Sequence, residues 1–500
     1  MNRVQTRRVR FAAAVTAVGL AASACTSSSV DARTKAVRDT GNLKLKHACS
    51  ATSCAGTRSG AAFKIQLPDT NKWNGTLVIW SHGYREATPV PDNPLLPTAV
   101  PAAADTSASA GPTQEIADAL VAQGYAVAGS AFATNGWDVL DGVAGDEDLY
   151  SYFKSSFGTP HRVYVWGDSL GGLITETLAE KHPSWVSGVA PLCGVLGGTN
   201  LNLDLALDVA YAVKTLIYPK FKLTGFASVD EAVAEWEAAS KALVAAATKG
   251  DAASIADLFA IAAIAGAPGK TDLFDGSSII STVSATVQAI VVALGYGTWG
   301  RYDIEQRTGG NPSQNVGVDY SARIAANPQP LIGDQAARIE SALAAAPRIS
   351  ADPAARAKAA TMGDPTGSIQ RPTITLHTED DPLVLVQNEN VFAARVRAHA
   401  TDGQLVQLFT APPDKYTSAP YGAGHCNFTK VEYLGVIDLL NNWVRYGVYA
   451  GPGAVASAFD YSINNADTGK NTPKKVSAGT ASTGYDPNYA PPAWPAGASG

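Results

Sequence analysis

The feature that most constrains this chain is the stretch at positions 163–173, which reads V-Y-V-W-G-D-S-L-G-G-L. Its first four residues are β-branched or aromatic, which predicts a short buried strand. The pattern G-x-S-x-G follows, and residues 173–179 have the composition of a helix. A strand that turns sharply into a helix lifts the serine at the turn above the edge of its sheet, and the flanking glycines leave room for the tight backbone. The stretch therefore predicts a strand–turn–helix unit with Ser169 as a candidate nucleophile.

Composition and charge exclude several classes of protein. The 500-residue chain has a net charge of −6 at pH 7 and a pI near 5.7, so it lacks the basic footprint that nucleic-acid binding requires. Its seven histidines are scattered, and neither H-E-x-x-H nor a paired C-x-x-C spacing occurs. We therefore expect no nucleic-acid partner, no metal and no cofactor.

Residues 1–25 have the features of an export signal. Arginines precede an apolar run at residues 11–22 that is too short for a stable membrane anchor. The run ends in A-S-A-C followed by T-S-S-S, which resembles a bacterial lipobox with Cys25 as the lipidated residue. Ordinary signal-peptidase cleavage after Ala22 or Ala24 is the alternative, because the usual leucine of the lipobox is absent. Both interpretations put the mature chain outside the cytoplasm, either secreted or held at the membrane by an N-terminal lipid.

The segments on either side of the Ser169 motif alternate between strand and helix patterns. Strands are expected at residues 61–67, 76–80, 125–130 and 185–192, and helices at 113–123 and 146–157. The pattern resumes near the C-terminus, with strands at 372–377 and 404–409 and helices at 386–400 and 430–445. Such alternation predicts an α/β protein with a mostly parallel sheet covered by helices on both faces.

A different pattern separates these two halves of the predicted sheet. Alanine-rich helical segments without a convincing strand predict a large helical cap, with helices at 203–217, 229–248, 252–265, 279–294 and 334–346. The expected organisation is a signal peptide (1–25), an N-terminal linker (26–60), the first part of the core (61–195), the cap (196–365), the second part of the core (366–450) and a Gly/Pro/Ala-rich tail (451–500). We expect the tail to be extended or disordered.

Two downstream loops supply the other groups that a nucleophilic serine needs, namely a base and a carboxylate that orients the base. Residues 377–384 read H-T-E-D-D-P-L-V, and residues 421–428 read Y-G-A-G-H-C-N-F. Each segment comes at or after the end of a predicted strand, and the order serine, acid, histidine is that of the α/β-hydrolases. The core segments therefore resemble the α/β-hydrolase superfamily, which implies the α/β-hydrolase fold and a Ser169–Asp381–His425 triad.

The acid and the base each have competing candidates. In the superfamily the acid stands just before a Pro-Leu-Val-like run, which favours Asp381. Asp380 is the next candidate, and Glu379 is the last. For the base, His425 in its glycine-flanked loop is preferred over His377 and His82. The position of His377 at a strand end, before the acid, favours a structural role.

The resemblance also implies an oxyanion hole, which needs two backbone N–H groups. One belongs to Leu170, the residue after the nucleophile. The other comes from Tyr84 in the segment S-H-G-Y, which follows the predicted strand at 76–80 as the superfamily's His-Gly loop follows its strand. An ordinary tight turn at His82-Gly83 is the alternative.

Export permits disulfides, and four cysteines remain besides Cys25. Four cysteines allow three pairings. Cys49 and Cys54 are close in sequence and are expected to close a small loop, which leaves Cys193 with Cys426. A Cys193–Cys426 bridge would tie the histidine loop to a neighbouring strand end.

Two narrower resemblances fail at particular residues. Tannases and feruloyl esterases place a cysteine directly before the serine, where this chain has Asp168. GDSL esterases share the tetrapeptide G-D-S-L but carry it near the start of their domain, together with a late Asp-x-x-His. Here the block lies mid-chain and Gly422 stands three residues before His425. Neither family is assigned.

These features predict an exported serine hydrolase that cleaves carboxylic esters of a small-molecule or polymeric substrate. The same triad also serves peptidases and other amide or lactone hydrolases, which are the alternatives. A non-catalytic, lipid-anchored binding protein is disfavoured because every triad position is filled. The apolar composition of the cap favours a hydrophobic acyl or alkyl group in the substrate.

Overall fold

The computed structural model describes residues 49–50, 52–69, 71–90, 105–329, 331–416, 420–451, 453–455, 458 and 484–495. The predicted signal peptide with Cys25 lies outside the described residues. So do most of the predicted linker and much of the predicted tail.

The centre of the fold is an eight-stranded sheet. Its strands are β1 (Ser53–Arg58), β2 (Ala61–Gln66), β3 (Thr76–Ser81), β4 (Ala126–Ser130), β5 (Arg162–Asp168), β6 (Gly188–Leu192), β7 (Thr373–Thr378) and β8 (Leu405–Thr410). The order across the sheet is β1-β2-β4-β3-β5-β6-β7-β8. β2 is antiparallel to both β1 and β4, whereas all pairs from β4 through to β8 are parallel. The predicted mostly parallel sheet is confirmed.

Helices connect and cover these strands. Those that flank the sheet are α1 (Gln114–Ala122), α2 (Val139–Phe157), α3 (Leu170–Lys181), α12 (Gln387–Ala398) and α13 (Lys430–Tyr446). Those between β6 and β7 are α4 (Thr199–Leu216), α5 (Val229–Lys249), α6 (Ala252–Ala265), α7 (Ile279–Gly297), α8 (Trp299–Thr308), α9 (Tyr320–Ala326), α10 (Ala336–Ala345) and α11 (Pro353–Ala360). Within the described residues, the segment between β6 and β7 contributes no strand to the sheet.

Strand β3 shows why helices cover both faces of the sheet. Every one of its residues is buried, and successive side chains of a strand point to opposite faces. Leu77 and Ile79 join the apolar cluster that includes residues of α2 and α3. Val78 and Trp80 join a second cluster that includes residues of α1 and α13. The α/β architecture with helices on both faces is therefore confirmed.

The cap has an apolar core of its own, centred on α4 to α7. By length and composition alone, the helical stretch Ile279–Thr308 would be long and apolar enough to cross a membrane. However, 56% of its most apolar window is buried inside the protein, and α7 packs against α4, α5 and α6. Helix α7 is therefore part of the core of the cap.

The predicted linker is wrong at its C-terminal end, because Ser53–Arg58 form β1. These residues read S-C-A-G-T-R, and Cys54 is the only one that is buried. The segment therefore lacks the alternation of apolar and polar side chains that identifies a half-buried strand. Its place in the sheet comes from backbone pairing with β2, in a register that opposes Arg58 and Ala61.

Three helices of the cap, α8, α9 and α11, were not predicted. α9 and α11 have 7 and 8 residues, too few to establish a helical period. Capping residues were the available signal: Asp319 accepts a bond from the N–H of Ala322, and Asp352 caps α11 ahead of Pro353.

Part of the predicted tail is docked on the sheet. Tyr485 forms an isolated antiparallel bridge with Thr410 at the end of β8, and the N–H of Asp486 donates to the carbonyl of Phe409 at 2.9 Å. An edge strand presents unpaired backbone groups that an extended segment can satisfy. The expectation of an extended tail therefore holds for these residues, and disorder does not.

Candidate active site

Ser169 lies between the last residue of β5 and the first residue of α3. Its backbone has φ 59° and ψ −122°, a conformation that is costly for a residue with a Cβ and that is typical of functional sites. A Cβ on Gly167 or Gly171 would collide with the carbonyl oxygen of Ser81. Only glycine fits at these two positions, so the G-x-S-x-G pattern has the steric cause that the sequence implied.

Asp381 and His425 are in contact where the acid and histidine loops meet. His425 Nδ1 lies 2.8 Å from Asp381 Oδ2. The other oxygen, Asp381 Oδ1, accepts the N–H groups of Leu383 and Val384 at 2.9 and 3.0 Å. Burial raises the pKa of Asp381, but the charge of His425 and hydrogen bonds from His377 and His425 outweigh it and lower the pKa to about 2. Asp381 is thus an ionised acceptor that fixes the Nδ1–H tautomer of His425.

The second ring nitrogen of His425, Nε2, is the atom that would accept the proton of Ser169. Among the hydrogen bonds of the described residues, none joins Ser169 Oγ to His425. Instead, His425 Nε2 lies 3.4 Å from the sulfur of Cys426. Catalytic hydrogen bonds are often long or unformed without substrate, so this geometry leaves the role of Ser169 a prediction.

The two competing acids lie elsewhere in the same loop. The carbonyl of Asp380 accepts the N–H of Gly424 at 2.9 Å, and burial raises the pKa of its carboxyl to about 6. The N–H of Glu379 donates to the carbonyl of Thr410, and burial raises the pKa of the Glu379 carboxyl to about 7. Neither carboxyl contacts His425 among the described hydrogen bonds and ion pairs, so the structure brings Asp381 to the base.

The segment that carries Tyr84 lies against the nucleophile. A Cβ built on Gly83 would be 3.2 Å from the Cβ of Ser169, so the backbone of this segment runs beside the serine. The N–H of Tyr84 donates no described hydrogen bond. Leu170 is the first residue of α3, where a backbone N–H has no acceptor within the helix. Both N–H groups are available to a developing oxyanion, and this role remains a prediction.

Both expected cysteine pairs are joined in the structure, Cys49 to Cys54 and Cys193 to Cys426. Cys193 directly follows β6, and its Cα lies 5.4 Å from that of Cys426. The bridge joins the loop that carries His425 to the end of β6, which pairs with β5, the strand that leads into Ser169. Cys193, Cys426 and His425 also bring possible metal-binding atoms within 4.8 Å, but the two sulfurs are bonded to each other and are not free thiolates.

A second connection between the histidine loop and the nucleophile turn was not predicted. The hydroxyl of Tyr433 donates to Asp168 Oδ2 at 2.7 Å and lies 3.4 Å from the carbonyl of Cys426. Asp168 Oδ1 is buried without a hydrogen-bond partner among the described residues, and burial raises the pKa of Asp168 to about 7. No local pattern links a residue before the serine to one on the last helix, so sequence offered no signal.

Ser169 lines an apolar cavity between the sheet and the cap. Its walls come mainly from α4, α7 and the loop at residues 382–385. The lining residues are Tyr84, Trp137, Ser169, Leu170, Val195, Asn202, Leu203, Leu205, Ala206, Val209, Ala265, Ala267, Ala289, Ile290, Ala293, Tyr296, Pro382, Leu383, Val384 and Leu385. None of these lining residues carries a charged side chain.

The cavity wall also contains aromatic contacts that sequence reasoning missed. The rings of Tyr84 and Tyr296 are 5.2 Å apart, and Trp137 Nε1 donates to the hydroxyl of Thr199 at 2.9 Å. Tyr296 is near the end of α7, so the contact joins the cap to the loop after β3. Such contacts depend on how the cap sits over the sheet, which no motif specifies.

No protein-family model matches the sequence, and a search of curated proteins finds no match. Solved structures similar to this one include an esterase from Aspergillus oryzae, with a TM-score of 0.37, 13% identity, and coverage of 82% of this chain and 85% of that chain. The rice cell wall degrading esterase LipA from Xanthomonas oryzae has a TM-score of 0.30 and 14% identity, covering 72% of this chain and 82% of that chain. Proline iminopeptidase from Mycobacterium smegmatis has a TM-score of 0.32 and 10% identity, covering 84% and 100%.

These similarities are too low to separate an esterase from a peptidase. The fold itself is defined by the order of the eight strands, the strained serine between β5 and α3, and the acid and histidine loops that follow β7 and β8. The chain has the α/β-hydrolase fold, with a large helical insertion between β6 and β7.

Proposed function

We propose that this chain is an exported serine hydrolase that cleaves carboxylic esters through an acyl-enzyme intermediate. The observation that carries the proposal is the position of Ser169, in its strained turn, at the wall of an apolar cavity. The hydrogen-bonded pair of Asp381 and His425 supports it, because this pair is what a serine needs as base and orienting acid.

In the proposed reaction, Ser169 Oγ attacks the ester carbonyl while His425 Nε2 accepts its proton. Asp381 keeps the imidazole in the correct tautomer and stabilises the imidazolium. The N–H groups of Leu170 and Tyr84 stabilise the oxyanion. The imidazolium then protonates the departing alcohol, and water repeats the sequence to release the acid.

The cavity favours an ester with a hydrophobic acyl or alkyl group over a peptide. Apolar surface that enters it gains roughly 25 cal/mol per Å² removed from water. A charged peptide terminus would be desolvated there without an ionic partner, which is costly, because the described lining residues carry no charge. A peptidase or another amide or lactone hydrolase remains the alternative on the same fold.

The proposal also includes the location of the protein and the division of its chain. Two disulfides support export, because such bonds are rare in the cytosol. We propose that the mature chain is secreted or attached to the membrane through a lipid on Cys25. We also propose that residues 196–365 form the cap. The core then consists of two segments, one from β1 to residue 195 and one from residue 366 to about residue 450. The reaction requires no cofactor.

A substrate panel tests the proposal. We expect purified protein to hydrolyse p-nitrophenyl esters with a preference for longer acyl chains, and to leave peptide p-nitroanilides almost untouched. Ala289→Phe fills the cavity from α7 and should shift the preference to short chains, lowering kcat/KM for long chains roughly tenfold. Ala252→Phe, at an exposed position on α6, is the matched control. Faster turnover of anilides than of every ester would contradict the proposal.

A further inference from the structure

The acid Asp381 is in contact with a second histidine. His377 lies on β7 and its side chain is fully buried. Its Nε2 lies 2.8 Å from the carbonyl oxygen of Val384 and 3.5 Å from Asp381 Oδ2. Its Nδ1 lies 3.2 Å from Glu389 Oε1. A neutral imidazole has one N–H and one acceptor nitrogen. Because both nitrogens of His377 face acceptors only, the geometry requires a proton on each.

Glu389 supplies the second negative charge beside this ring. It lies in the first turn of α12 and its side chain is fully buried. Its Oε2 accepts bonds from Thr375 Oγ1 at 2.7 Å and from Gln407 Nε2 at 2.6 Å. Thr375 and Gln407 thus occupy Oε2 and leave Oε1 to His377. His377 and Glu389 therefore form a buried ion pair directly behind the acid of the proposed triad.

The charges around the ring support the same protonation state. Burial lowers the pKa of His377, but its bonds to Asp381 and Glu389 outweigh that effect and raise the pKa to about 10. The titratable groups that face the ring are Asp381, from the loop after β7, and Glu389, from α12. From β8, the uncharged amide of Gln407 contacts Glu389. The geometry and the surrounding charges therefore favour the same doubly protonated ring.

We propose that His377 is a positioning residue for the reaction described above: as a buried imidazolium, it holds Asp381 in register with His425 and offsets part of its charge. This inference rests on the proposed function. The imidazolium, held by its bond to the Val384 carbonyl, lies 3.5 Å from Oδ2 and attracts it, which limits rotation of the Asp381 carboxylate and so the direction in which His425 is held. The positive charge also offsets part of the negative potential that Asp381 creates at the His425 ring.

Two substitutions test the inference: one removes a positive charge and the other removes a negative charge. The readout is the pH profile of kcat/KM, in which activity falls at low pH as the essential base is protonated; this fall is the acid limb. His377→Gln removes the cation, so the acid limb should move to higher pH, with kcat reduced roughly 10–100-fold and KM little changed. Glu389→Gln removes the anion and leaves the cation, so the limb should move to lower pH. Thr375→Val is the matched control, because it removes one bond to Glu389 without changing any charge, and its limb should not move.

A spectroscopic readout tests the imidazolium without depending on activity. In the spectrum of ¹⁵N-histidine-labelled wild type at pH 8, one ring should be doubly protonated, and its signal should be absent from the spectrum of His377→Gln. If that variant does not fold, the wild-type spectrum and Glu389→Gln still decide the matter. A singly protonated His377, or an acid limb that stays in place in both variants of an active enzyme, overturns the inference. A wild type inactive on every ester and amide overturns the proposed function instead, and the spectrum still reports on His377.

Discussion

The two sides of His425 are built differently. On the acid side, Nδ1 lies 2.8 Å from Asp381, whose other oxygen accepts two backbone N–H groups. On the nucleophile side, no described hydrogen bond joins His425 to Ser169, and the nearest partner of Nε2 is the sulfur of Cys426 at 3.4 Å. The acid side is complete in the folded protein, whereas the other side has no described bond to Ser169, which lines the apolar cavity.

This difference follows from where charge is buried. Asp381 is 1% exposed, and an ionised carboxylate in such a place must be hydrogen-bonded as soon as the protein folds. A serine hydroxyl is neutral, so leaving it without a hydrogen-bond partner costs far less free energy than leaving a buried carboxylate unpaired. Under the proposed function, we therefore expect folding to organise the acid side and substrate to complete the nucleophile side. The following predictions test this division, beginning with the largest expected effect.

Removal of the nucleophile should have the largest effect. Ser169→Ala should fold normally and lose ester hydrolysis by roughly 10⁴-fold or more, since no acyl-enzyme can form. A fluorophosphonate probe followed by peptide mapping should label wild type at Ser169. Labelling of a different serine, or full activity in the variant, would show that the strained turn is not the reactive site.

Neutralisation of the acid should come next and should distinguish neighbouring residues. Asp381→Asn should lower kcat by roughly 10³–10⁴-fold, because an amide no longer fixes the tautomer of His425. Asp380→Asn and Glu379→Gln are matched controls in the same loop and should cost far less. If Asp380→Asn lowered kcat more than Asp381→Asn did, Asp381 would not be the residue that orients His425.

Loss of the disulfide should weaken the nucleophile side more than the acid side. The Cys193–Cys426 bridge closes a separation of 233 residues, for which the chain-entropy model gives an upper value of roughly 5 kcal/mol of unfolding free energy. We expect mild reduction to lower kcat before global unfolding, as followed by circular dichroism. Cys49→Ala with Cys54→Ala is the control pair and should leave kcat unchanged. Free thiols at Cys193 and Cys426 in native protein, found by non-reducing peptide mapping, would refute the idea.

The smallest effect is expected at Asp168, and it concerns the dependence of stability on pH. Burial raises the pKa of this carboxyl to about 7 in the folded protein. A raised pKa means that its stabilisation is complete below its unfolded pKa, near 4, and is lost as pH rises through about 7. Asp168→Asn keeps an acceptor for Tyr433 and should flatten this part of the stability curve.

Urea denaturation of wild type and Asp168→Asn between pH 4 and 8 checks this expectation. Asp146 has its pKa raised by burial to the same value, so Asp146→Asn should flatten the curve independently and serves as the comparison. An unchanged pH slope in Asp168→Asn would mean that this carboxyl is solvated and already ionised in the folded protein.

The parts of the site that sequence could predict are those with local causes. Ser169 is identifiable because its turn needs glycine on both sides, and Asp381 is identifiable because it precedes a P-L-V run. β1 and the short helix α9 were missed because their patterns are weak over so few residues. The contacts of Tyr433 with Asp168 and of His377 with Glu389 depend on how distant elements pack, and they leave no trace in local spacing.

The sequence by itself determined the alternation of strands and helices, the strained turn at Ser169, and the order of the acid and histidine loops. Each of these depends on steric and apolar patterns within about ten residues. Only the tertiary structure decided that Asp381 rather than Asp380 meets His425, and that His377 lies between two carboxylates. Adjacent side chains at a strand end point in different directions, and which of them meets a distant partner is settled by the packing of the whole sheet and its helices.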